Sequence, residues 1–160
     1  MSELNYICKI PVPCTLSAWN NYAGYTKYDT ILPNHKDTLE YFLTLVPPSY
    51  STITIQSHNF HIFVPWIDSI MCDALFVVKG KHIYIIKRIG GEWIQLDYPR
   101  RQSYKTIMNV SMNLQDTQYI VVLFPSSHLS VFKRCVRLWI PKRIPYYTEF
   151  KTKLLQSIAD

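Results

Sequence analysis

The residue pattern predicts an α+β fold: a mainly antiparallel sheet with flanking helices, in a single domain over residues 1–160. Three observations carry that expectation. Apolar residues recur at helical spacing before Pro47-Pro48, the period drops to two from Ser51 onward, and Gly90-Gly91 joins two β-rich runs. The chain is long enough for one core, and its 48% hydrophobic and 14% aromatic content suits a packed interior better than disorder.

Taken in order, Tyr6 to Val12 reads as a short strand that Pro11 and Pro13 bring to an end. Cys14 to Ala23 has the spacing of a short helix, with Pro13 at its first turn and Gly24 as its stop. In a second helix, Asn34 is the candidate cap, and Leu39, Phe42, Leu43 and Val46 mark one face. Two strands are expected next, one with Ile53 and Ile55 and one with Phe60, Ile62 and Val64. Ala74 to Val78 is a third apolar run. Lys81 to Asp97 is the strongest local signal, a hairpin about Gly90-Gly91, where two residues can take the positive φ angles of a primed turn. A helix is predicted over Ser103 to Gln115, with Ile107, Val110 and Leu114 on one side. A strand follows over Gln118 to Phe124, then a mixed piece from Leu129 to Ile140 and a terminal helix from Tyr146 to Ala159.

Composition narrows the functional classes. No stretch approaches the ~18 uncharged apolar residues of a membrane-spanning helix, and Met1 to Cys14 lacks a secretory signal pattern. An intracellular protein of cytoplasm or nucleus is therefore expected. Cys8, Cys14, Cys72 and Cys135 are scattered without a CxxC pair, so free thiols are expected and no zinc knuckle. His58 and His61 would fall on opposite faces of a strand, and Asp68 and Asp73 make no convincing pair, so neither a metal nor another cofactor is expected.

Charge is uneven along the chain. Residues 1–78 carry three basic and six acidic side chains, a net −3, whereas 79–153 carry fourteen and four, a net +10. Arg100, Arg101, Lys105, Lys133, Arg134, Arg137, Lys142 and Arg143 are interleaved with Phe132, Trp139, Tyr146 and Tyr147. Cations neutralise phosphates while aromatics stack on bases or sit at a membrane interface. The leading expectation is thus a small basic binding or accessory module, such as a virus carries. Its partner would be nucleic acid, an anionic membrane surface or an acidic protein, and an assembling oligomer with an aromatic surface is a further reading.

A second expectation comes from His82 and Asp97, which start one hairpin strand and end the next and so lie near each other across an antiparallel pair. A histidine that serves a thiol needs a third group to hold its tautomer. Cys14 opens a helix, where the macrodipole favours negative charge. The run from Leu75 through His82 and Trp93 to Asp97, with Tyr119-Ile120-Val121-Val122 beyond it, resembles the catalytic half of Josephin-type deubiquitinases, which are papain-like cysteine proteases. The likeness covers roughly 50 of the 160 residues. It implies Cys14 as nucleophile, His82 as base, Asp97 as its orienting group, and ubiquitin or a polyprotein as substrate. Where that family carries a Cys-Ala-Gln-His-like motif preceded by Gln, this chain has Cys14-Thr15-Leu16-Ser17 and no preceding Gln.

Overall fold

The computed structural model describes residues 7–8, 12–29, 39–67, 72–97, 100–114 and 117–139, the last five by backbone alone. Six strands form one antiparallel sheet: β1 (Tyr50–Gln56), β2 (Ala74–Lys79), β3 (His82–Ile89), β4 (Glu92–Asp97), β5 (Arg100–Tyr104) and β6 (Tyr119–Pro125). Their order across the sheet is β1-β6-β2-β3-β4-β5. With helices on both faces, the fold is α+β.

Burial explains the order. Ala74 to Val78 and Ile120 to Phe124 are buried on consecutive residues, because β2 and β6 lie in the sheet interior with both faces covered. At the rim, β5 reads Arg-Arg-Gln-Ser-Tyr and buries only Tyr104. One face of the sheet, with Phe76, Ile83, Ile85 and Leu96, packs under α1 (Cys14–Ala23) and α2 (Leu39–Thr44). The other, with Leu75, Val77, Ile86 and Trp93, packs under two 3₁₀ turns (Ser57–Ile62 and Val64–Trp66), α3 (Ile107–Asn113) and α4 (Leu129–Trp139).

The hairpin has the expected form, with Gly90 at φ 59° and Gly91 at φ 85°. Two expectations are corrected. Phe60, Ile62 and Val64 are not in a strand: Phe60, Phe63 and Trp66 are buried three residues apart, so their period is that of 3₁₀ turns packed on the sheet, with Pro65 inside the second. Ser103 and Tyr104 do not open a helix. They end β5, whose polar run shows no alternation but pairs with β4 from Asp97↔Arg100 to Trp93↔Tyr104. The helix begins at Ile107, where the Thr106 side chain accepts from the Asn109 amide at 3.2 Å. The strand predicted over Tyr6 to Val12 falls largely outside the described residues. Asn34 and the terminal helix from Tyr146 fall wholly outside them.

Candidate catalytic site

Pro13 sets the start of α1: its fixed φ of −54° suits the residue before the first turn, and its carbonyl accepts from the Ser17 amide at 2.9 Å. Gly24, at φ 80°, ends the helix and returns its N–H to the Asn20 carbonyl at 3.0 Å. Cys14 is therefore the first helical residue, and its half-buried thiol stands at the positive end of the macrodipole.

Several contacts hold this helix on the sheet. Trp19 stacks on Phe42 with ring centroids 4.9 Å apart and donates its indole N–H to the Phe42 carbonyl at 3.2 Å; Phe76 lies 4.6 Å from the same ring. Asn21 donates to the Leu96 carbonyl of β4 at 3.4 Å and accepts from the Cys8 amide. Asn20, fully buried, accepts from the Lys27 and Tyr28 amides and donates to the Tyr28 carbonyl, which folds the chain back after the helix. At the far end, buried Lys87 of β3 donates to the Tyr22 carbonyl at 2.7 Å, placing a cation at the negative pole of α1.

Strand β3 thus meets both ends of α1, Lys87 at the last turn and His82 at the first. Eight helical steps from Cys14 to Tyr22 cover about 12 Å, and five strand steps from His82 to Lys87 about 16 Å. The two elements match in length closely enough to run side by side, and the match brings the thiol to the imidazole.

The resulting chain of contacts is ordered. Cys14 Sγ lies 3.0 Å from His82 Nδ1, and His82 Nε2 lies 2.8 Å from Asp97 Oδ1. Asp97 can only accept when ionised, so the neutral ring carries its proton on Nε2 and turns an unprotonated Nδ1 toward the sulfur. The His82 side chain is 44% exposed and that of Asp97 15%, so the imidazole is open to a substrate while its orienting group is largely covered. Ile83, Ile85 and Leu96 point toward α1 and Tyr84 away from it, while His82, the first residue of β3, and Asp97, the last of β4, stand at the end of the sheet, where the imidazole reaches the Cys14 thiol at the start of α1. The Tyr84 ring sits 5.6 Å from the His82 ring, and burial with the nearby Asp97 and Tyr104 pushes its hydroxyl up to about 12.

The sequence-predicted triad is thereby brought together, whereas the described basic residues divide between β5 with the turn after it and α4. Arg100, Arg101 and Lys105 are exposed on or just after β5. Lys133 and exposed Arg134 lie on α4, whose buried Phe132 stacks 5.7 Å from Phe124 of β6, four strand positions away. Phe132 is 1% exposed and so offers no ring to a base. The side chain of Arg137 and all of Lys142 and Arg143 lie outside the described residues.

His58 and His61 require a correction. The 3₁₀ turn eclipses residues three apart, so both line one cavity of about 380 Å³ with Met108 and Met112. Among the described residues, no three or more His, Cys, Asp or Glu side chains gather as metal ligands would. No described helix is long and apolar enough to cross a membrane.

Asn20, Asn21, Tyr84 and Lys87 position the triad and were not singled out from the sequence. Two adjacent polar residues late in an apolar helix, and a lysine amid Ile83, Ile85 and Ile86, were the available signals. No protein-family model, curated protein or solved structure matches this chain.

Proposed function

We propose that the chain is a cysteine hydrolase of papain-like chemistry, acting on peptide or isopeptide amides, with Cys14 as nucleophile, His82 as base and acid, and Asp97 as the group that orients the imidazole. One observation carries the reading: the unbroken order Sγ, Nδ1, Nε2, Oδ1 at 3.0 and 2.8 Å. In the reaction, His82 Nδ1 takes the thiol proton and the sulfur attacks the acyl carbon, forming a C–S bond. The imidazolium, steadied by Asp97, returns that proton to the leaving amine as the C–N bond breaks. Water then gives a proton to His82, its oxygen bonds to the acyl carbon, and the C–S bond breaks to restore the thiol. The amides of the opening turn of α1 are the donors this reading assigns to the oxygen that becomes negative, a role the missing Gln would share in Josephin-type enzymes.

A basic module for nucleic acid, an anionic membrane or an acidic protein has the net charge in its favour, but it leaves the ordered contacts without a role. The decisive test is alkylation by iodoacetamide in a Cys135→Ser background, read by mass spectrometry. Cys14 is expected to react well ahead of Cys8 and Cys72, which are 2% and 1% exposed. His82→Ala should slow the Cys14 reaction ~100-fold. Equal rates at all thiols, or a Cys14 rate that ignores His82, would refute the assignment.

A further inference from the structure

Strand register supplies a property of this site beyond its chemistry. Lys79 is the cross-strand partner of His82, and Arg100 is the cross-strand partner of Asp97. Antiparallel partners project from the same face of a sheet. Lys79 with His82 and Asp97 with Arg100 therefore form two cross-strand pairs on one face, stepped diagonally because Ile85↔Leu96 sets Asp97 level with Tyr84, with a cation on the outer side of each member of the His82–Asp97 contact. Both cations are exposed, and so is Lys81, in the turn that leads into His82.

Among the described residues of β2 to β5, acidic side chains do not balance these two pairs. The Asp97 carboxylate is engaged by His82 and 15% exposed, while Asp73 and Glu92 stand at the opposite ends of their strands. A substrate approaching the thiol thus meets positive charge on both flanks, and that placement is set by backbone pairing rather than by a choice of rotamer.

We infer that the substrate of this site is a protein segment with acidic side chains beside the scissile bond, received by Lys79 and Arg100; the inference rests on the hydrolase reading above. Neighbouring strands are about 4.8 Å apart and an extended peptide rises about 3.3 Å per residue. The acidic residues accordingly fall within about three positions of the bond. Complementary charge at such a rim acts mainly on capture and selection of the substrate, and salt weakens it.

The experiment uses the full chain and two hexapeptidyl vinyl sulfones that differ only in carrying Glu or Lys at the two residues nearest the electrophile. Rates of Cys14 adduct formation are compared at low and at ~0.5 M salt. The Glu probe should react ~10-fold faster at low salt, with the preference shrinking at high salt. The ratio should fall to about one in Lys79→Gln/Arg100→Gln and invert in Lys79→Glu/Arg100→Glu. Iodoacetamide, measured alongside on the wild-type chain and His82→Ala, separates the two claims. A His82-dependent alkylation with equal Glu and Lys rates overturns the substrate inference alone. A Cys14 alkylation indifferent to His82 overturns the hydrolase reading and this inference with it.

Discussion

Histidine and sulfur side chains are neighbours in two described regions of this molecule, and the two differ in kind. At the end of the β3–β4 hairpin, His82 stands between a thiol and a carboxylate in hydrogen-bonding order. Across the sheet, His58 and His61 share a cavity with the thioethers of Met108 and Met112 and the hydroxyls of Ser57 and Ser111. A thioether has no proton to yield, and none of the described residues lining that cavity carries a carboxylate to choose a tautomer for either ring. Residue types in proximity are therefore not enough for nucleophilic catalysis. What distinguishes the first region is the sequence of donor and acceptor, imposed by a helix end and two paired strands.

The largest expected effect is on the helix itself. Trp19→Ala removes a ring that Phe42 and Phe76 both contact, and is expected to cost ~3–5 kcal/mol in urea unfolding and to slow Cys14 alkylation by loosening α1. A loss below ~1 kcal/mol would mean that the helix is held elsewhere.

Alkaline pH should separate Cys14 from the buried thiol of Cys72. Burial pushes Cys72 from 9.0 up to about 12, and Tyr84 from 10.0 up to about 12. A group whose folded value is raised contributes stability that is intact below its unfolded value and is lost as pH climbs to the folded one. The urea midpoint should accordingly hold to about pH 9 and then fall toward pH 12, with Tyr84→Phe removing part of the slope above pH 10. Cys72 should stay unalkylated until that unfolding sets in; its modification at neutral pH would show that the core opens there.

A smaller change is expected from Asp97→Asn, which keeps the side chain's size but removes the charge on Nε2–H. One charge-assisted hydrogen bond is worth about 1.5 kcal/mol, or ~10-fold in the Cys14 alkylation rate. An unchanged rate would reduce Asp97 to a structural neighbour. Smallest of all, the His58→Ala/His61→Ala double variant should alter that rate less than ~2-fold, because its cavity lies on a separate element. A larger effect would join the two regions functionally.

Legibility varied from element to element. The β3–β4 hairpin and α1 were readable because each is specified locally, by Gly90-Gly91 at one turn and by Pro13 and Gly24 at the helix ends. Strand β5 was not, because an edge strand owes its conformation to its neighbour and its Arg-Arg-Gln-Ser run has no apolar alternation to betray it. The segment Phe60 to Trp66 misled for the opposite reason: apolar residues at Phe60, Ile62 and Val64 imitate a strand, while the core selects Phe60, Phe63 and Trp66.

The candidate site divides along the same line. Sequence alone determined that Cys14 opens a helix and that His82 and Asp97 lie at the start and end of paired strands, since these follow from local turn and cap chemistry. Only the tertiary structure decided that the helix end meets the hairpin end. That meeting depends on contacts between residues far apart in the chain: Trp19 with Phe42 and Phe76, Asn21 with Leu96, and Lys87 with Tyr22. It decided equally that Lys79 and Arg100 flank the His82–Asp97 pair, because strand register is set by the packing of whole faces and is invisible in the spacing of charges along one chain.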